Sequence, residues 1–181
     1  MSSKSTFKYP FPARSVIDKE RMKAVVADNY MLNRPAVNDS TDVLVARLAK
    51  QLDARVIEAE AGAEVLTWNV PNNWVVRKGQ LRKVGGEVLA DFEDHPLHLW
   101  THCVGFKGKI DRETLLREHV VSDPLRPDEF VYHYRNGYRH AAKEWGFSLP
   151  HRLVKSMTEE EYEVDIDAEL NQENTLKVVD A

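Results

Sequence analysis

One cysteine, Cys103, stands in 181 residues, so the chain has no internal disulfide and no zinc site built on several thiolates. A chain so poor in thiols fits a reducing compartment, and the cytoplasm is the expected one. No apolar run approaches the ~20 residues that a spanning helix requires, so no membrane partner is expected. The opening "MSSKSTFKYPFPARS" has one early lysine but no apolar h-region and no small-residue cleavage site, which argues against a signal peptide. Positive charge is not in excess either. Lys and Arg number 25 against 29 Asp and Glu, giving a formal charge of -4 and a pI near 6.0. That balance gives no electrostatic reason to expect nucleic acid as a partner. Internal repeats and low-complexity tracts are absent. The pair Gly85-Gly86 lacks the lysine and hydroxyl of a phosphate loop, and Ser122, Ser148 and Cys103 have no glycine elbow or nearby base.

What is present reads as one soluble domain, or a compact core with an added arm. Residues 1–14 hold Tyr9-Pro10-Phe11-Pro12, which suits an extended arm that either docks by its aromatics or stays a loose tail. A helix follows from Ser15 and is interrupted at Asn33-Arg34-Pro35. The clearest helix is "NDSTDVLVARLAKQL", with Asp39 or Ser40 as cap and Leu44, Val45, Leu48 and Leu52 as its apolar stripe. The period then changes to alternation. "ARVIEAE", "EVLTWNVP", "WVVRKGQLRKV", "GGEVLADFED" and "LHLWTHCVGF" read as strands, with Gly85-Gly86 as a hairpin turn. Asp111 caps a short helix "RETLLREHVV" with Leu115 and Leu116 inward. "PDEFVYHYRNGYRHAAKEW" reads as a helix stopped by Gly146, and "YEVDID" with "TLKVVDA" as a closing hairpin. The predicted class is α+β: a mostly antiparallel β unit over 64–109 with flanking helices near 40–53 and 111–120. Trp68, Trp74 and Phe92 are expected to be mostly buried.

Histidines are the candidate chemistry. His98 and His102 are spaced i, i+4 but fall in a β-like run, with no third ligand at suitable spacing, so no metal is assigned to them. The stretch from His133 to His151 joins histidines to Tyr134, Tyr138, Trp145 and Phe147. It suits either a half-buried helix docked on the sheet or a ligand wall. The carboxylates of "MTEEEYEVDIDAE" read as an exposed charged turn.

Three segments carry a resemblance. "W-x-V-P-x-x-W" at Trp68 to Trp74, "D-F-x-D-x-x-L-H" at Asp91 to His98 and "W-G-F-x-L-x-H" at Trp145 to His151 occur in one order, with "YEVDID" after them. Together they resemble an aminopeptidase-like family first described as a domain of unknown function, often found beside polysaccharide- and natural-product-biosynthesis genes. The resemblance spans about residues 30–170. It implies a fold akin to co-catalytic zinc aminopeptidases with a small β-rich domain inserted early, so that this chain would be an incomplete portion of that fold. The implied division is 1–32 arm and helix, 33–62 start of the core, 63–156 inserted domain and 157–181 return strands of the core. Asn33-Arg34 fits the family's "N-R-S", whereas "PAVNDST" departs from its next residues. The family's zinc motif would follow this region, so no catalytic or metal-ligating residue is assigned here, and zinc is expected only in a partner chain. His98, Tyr134, Tyr138, Trp145, Phe147 and His151 are the candidate substrate-binding residues, with Gly146 as a left-handed turn position. Two functions follow: a portion of an aminopeptidase-like hydrolase needing a partner chain, or a stand-alone binding or self-assembling module.

Overall fold

The computed structural model describes residues 19–65, 67–133 and 144–180. The chain divides into two compact units, Met1–Tyr30 and Met31–Ala181. In the first, helix α1 (Lys19–Asn29) closes its last turn when Asn29 Nδ2 donates to the Val25 carbonyl at 2.7 Å. Its expected beginning at Ser15 lies outside the described residues.

The second unit is α+β. Helix α2 (Asp39–Leu52) starts at Asn38, whose side chain accepts from Thr41 N–H at 2.8 Å, one position before the expected caps. Val45 and Ala49 are its buried residues, while Leu52 is exposed. The strands β1 (Arg55–Glu60), β2 (Glu64–Val65), β3 (Trp68–Asn69), β4 (Asn73–Lys83) and β5 (Val88–Asp91) follow. "EVLTWNVP" is thus not one strand but a short β2–β3 pairing, and Trp68 is 42% exposed rather than buried. The β4–β5 hairpin turns at Gly85, whose φ of +64° is the left-handed geometry that favours glycine.

"LHLWTHCVGF" is not a strand. Pro96–His98 forms a 3₁₀ turn, because Pro96 fits its first position and His95 Nδ1 accepts from Leu97 N–H at 3.1 Å. His102 then takes a left-handed φ of +61°, which breaks any extended run. Strand β6 (Phe106–Asp111) leads into α3 (Arg112–Glu118), capped as expected by Asp111 accepting from Thr114 N–H at 2.8 Å. Leu115 beneath it is fully buried. Strand β7 (Val120–Val121) pairs in parallel with β8 (Phe147–Ser148), and the short helix α4 (His151–Ser156), which sequence reading missed, follows.

The last two strands are β9 (Glu161–Asn171) and β10 (Thr175–Asp180), and they do not form the expected hairpin. The four-stranded antiparallel sheet has the order β5-β4-β9-β6, while β10 pairs with β1. Tyr162, Val164, Ile166 and Ala168 alternate on the buried face of β9, and a strand with so apolar a face is stabilised by two neighbours more than by one. Segment 157–181 is therefore shared between two sheets. Helix α2 packs mainly on β1 and β10, while α3 packs against β6 and β7.

The main core lies on one face of the four-stranded sheet. Trp74, Leu81, Trp100, Leu115, Trp145, Phe147, Tyr162 and Ile166 belong to it, with Phe92 partly buried against them. Residues 127–133 form turns and irregular chain instead of the expected helix. The Ser148 hydroxyl holds this segment, accepting from Val131 N–H at 3.2 Å and donating to the Val131 carbonyl, which takes those backbone groups out of any helical ladder. The remainder of that expected helix, 134–143, lies outside the described residues.

Candidate functional site

The site is built where two distant pieces of chain meet. Phe147 N–H donates to the His119 carbonyl at 2.7 Å, and Leu149 N–H to the Val121 carbonyl at 3.0 Å. These bonds lay "WGFSLPH" along the chain leaving α3. Trp100 N–H donates to the Gly146 carbonyl at 3.0 Å, which brings in the histidine-rich turn. Gly146 does not have positive φ, contrary to expectation; the glycine is needed because two groups approach it. A β-carbon there would lie 2.6 Å from the His119 carbonyl oxygen and 2.6 Å from the Trp100 ring.

Aromatic stacking then orders the corner. The His119 ring lies parallel to Trp145 at 3.7 Å between centroids, and its Nδ1–H donates to the Trp145 carbonyl at 2.8 Å. Phe106 also stacks on Trp145, at 4.2 Å, and His133 stacks on Trp100 at 3.8 Å. His98 Nδ1–H donates to the Ser148 carbonyl at 3.2 Å and meets Phe130 edge-on at 4.6 Å, while His95 stacks on that ring at 4.5 Å. His151 Nδ1 and Ser122 Oγ are hydrogen-bonded at 3.0 Å. Beside them, backbone donation from Leu125 and the Arg126 guanidinium hold the Asp123 carboxyl below its usual range.

The expected substrate residues therefore divide. His98, Trp145, Phe147 and His151 come together at this corner, whereas Tyr134 and Tyr138 lie outside the described residues. Trp145 and Phe147 are buried and pack inward, and His98 is buried too. Only His151 is half-buried and reachable. Sequence reading missed His119 and Trp100, and set Ser122 aside for want of a nearby base, which His151 supplies in space; His119 directly follows α3, but nothing in its neighbours announces a stack on Trp145.

Burial pushes the His98 imidazole below its ordinary value of 6.5, with the Ser148 carbonyl opposing in part, and burial moves His95 the same way. The unfolded chain then takes up these protons first. Stability is full above pH 6.5 and declines as pH falls toward the folded value. A melting temperature that drops between about pH 7 and pH 5, with a smaller drop in His98→Gln, is the expected result. Equal slopes in wild type and variant would remove His98 as a cause.

Among the described residues no group of three or more His, Cys, Asp or Glu is arranged to hold a metal ion. Nor is any described helix long and apolar enough to cross a membrane.

An antiparallel four-stranded sheet with one packed face, joined to a small α2–β1–β10 unit, defines the class: an α+β domain with a second, two-stranded sheet. The chain belongs to the family described as "Domain of unknown function (DUF2172)", whose family model matches residues 73–169, from the first residue of β4 into β9. It is similar to a Clostridium acetobutylicum protein provisionally named a polysaccharide biosynthesis protein with an aminopeptidase-like domain. The two are 26% identical over 123 residues, covering 68% of this chain and 27% of that protein. Its fold matches the crystal structure of a C. acetobutylicum protein provisionally named a peptidase, with TM-score 0.76, 22% identity, and 87% of this chain and 36% of that one covered. The chain thus spans well under half the length of either.

Proposed function

We propose that this chain is the non-catalytic portion of an aminopeptidase-like hydrolase, supplying the β-rich domain and the first helix and strands of the core. In this reading peptide or amide hydrolysis requires a further polypeptide that carries the zinc ligands. The observation that carries it is the β1–β10 ribbon. Lys177 of β10 pairs with Asp42 of α2 at 2.5 Å, so α2 covers the face that Lys177 shares with Glu58. On the opposite face, the cross-strand neighbours Ile57 and Val178 are 48% and 47% exposed. A two-stranded ribbon with an open apolar face and unpaired outer edges among the described residues is a poor end state. A core sheet extended by more strands and covered by another helix would resolve it. The similar proteins, each much longer than this chain, are the second support. His151, with Ser122, is the member of the "WGF" corner placed to touch substrate, while Trp145 and Phe147 shape that corner through the core. We assign the protein to the cytoplasm because a chain with a single cysteine has no internal disulfide to maintain.

The alternative, a binding or self-assembling module, has one observation in its favour: the family domain closes a core of its own around Trp74, Leu81 and Phe147. Metal analysis and a chromogenic aminopeptidase assay on the purified chain test the first reading. The expected result is no stoichiometric zinc and no turnover. Metal-dependent turnover by the chain alone would overturn it. A stable dimer in sedimentation that Ile57→Asp converts to monomer would favour the alternative.

A further inference from the structure

The other face of the four-stranded sheet is not packed by any described element, and its alternating side chains are charged. Register places Lys107 and Gln80 on either side of Asp165, and Lys109 and Arg82 on either side of Glu163. Lys78, Arg82, Lys107, Lys109, Glu163 and Asp165 line a groove of about 370 Å³. Four cations face two carboxylates, so the groove holds two positive charges in excess within a chain that is acidic as a whole.

Three of the four cations are held in place by hydrogen bonds. Asp165 accepts from Lys78 at 2.6 Å and from Lys107 at 3.4 Å, which holds two ammonium groups from opposite strands over the centre of the sheet. Gln80 Nε2 donates to Asp91 at 2.5 Å, and its Oε1 accepts from Arg82 at 2.7 Å, so a relay of side chains fixes the guanidinium. That bond uses one of the five N–H donors of arginine, and the guanidinium stands 4.0 Å from Asp165. Lys109, exposed on β6, makes no ion pair or hydrogen bond among the described residues.

We propose that this groove binds a phosphate monoester, independently of the proposed hydrolase role. Cations converging from β4 and β6 match a tetrahedral dianion better than a planar monoanion, and fixed guanidinium groups suit phosphoryl oxygens. The excess of two charges is the charge of that group near pH 7. The groove is far larger than a phosphate ion, so the esterified organic part lies along the strands. Asp165 is a positioning residue that also repels the ligand, which gives the test a sign that a structural role does not have.

The test is titration of the full chain, followed by amide NMR and calorimetry, with glycerol 3-phosphate, inorganic phosphate and acetate at near-physiological salt. Glycerol 3-phosphate is expected to bind one to one and to shift amides in β4, β6 and β9. Inorganic phosphate should bind more weakly and acetate not measurably. Arg82→Gln and Lys109→Gln should each weaken binding about fivefold or more, Asp165→Asn should tighten it about threefold, and Lys50→Gln on α2 should change nothing. Absent or non-saturable binding, or equal losses in Lys50→Gln, would overturn the site. Equal affinity for inorganic phosphate would overturn the monoester assignment.

Discussion

Gly146→Val is expected to remove most of the folded population at physiological temperature, the largest effect of any single glycine substitution among the described residues. A β-carbon would lie 2.6 Å from the His119 carbonyl and 2.6–2.7 Å from two indole carbons of Trp100, contacts that real β-carbons do not make. Neither neighbour can yield. The His119 carbonyl accepts from Phe147 N–H, and Trp100 is buried with its backbone N–H donating to the Gly146 carbonyl. Overpacking of this kind costs about 3 kcal/mol, and the branched valine adds to it. Gly146→Ala should therefore lower the melting temperature by about 10 °C. The control is Gly85→Ala, where φ is +64° but nothing lies within 4 Å of the added carbon. Only the backbone strain of about 1 kcal/mol is expected there. Similar thermal shifts for both alanine variants, measured by calorimetry, would show that the corner relaxes and that Gly146 is not pinned by its neighbours.

The contrast between these glycines also shows what a sequence can reveal. Gly85 follows a run of alternating residues and precedes another, so its turn is written locally, as are the cap at Asp111 and, apart from exposed Leu52, the stripe of α2. Gly146 follows a stretch of helical spacing, and the same local reading made it a helix stop. Its real constraint comes from Trp100 and His119, 46 and 27 positions away, and no local pattern contains it. The misplaced hairpin has the same origin. β9 and β10 both alternate and are separated by a short turn, which is the signature of a hairpin. What decides their partners is the long-range pairing of β9 with β4 and of β10 with β1. The candidate site was legible only through its motif segments. Those segments located the "WGF" corner, yet they did not reveal that Trp145 and Phe147 are turned inward. The charged groove was open to discovery, because "FKGKID" puts Lys107 and Lys109 two apart, and "RKGQLRK" puts Lys78, Gln80 and Arg82 on one face of its strand.

Trp74→Ala is the second large effect expected, and it reaches from the core to the proposed interface. Trp74 is 1% exposed, packs edge-on against Phe92 at 6.3 Å, and its Nε1–H donates to the Cys103 carbonyl at 2.9 Å. Truncation leaves a cavity and an unsatisfied buried carbonyl, together about 3–5 kcal/mol, a large share of the stability of an ordinary domain. Trp74→Phe keeps most of the volume and should lose about half as much, chiefly the hydrogen bond. Trp74 also has a backbone role. Its N–H donates to the carbonyl of buried Val37, just before α2, at the point where the four-stranded sheet meets the α2–β1–β10 unit. Loosening the indole should therefore loosen that junction. In Trp74→Phe, which stays folded, amide exchange in α2, β1 and β10 should accelerate along with exchange in β4. If exchange rises in β4 alone, the small unit is stable without the junction. The ribbon would then need no core sheet beyond itself, and the strongest physical ground for a completing polypeptide would be gone.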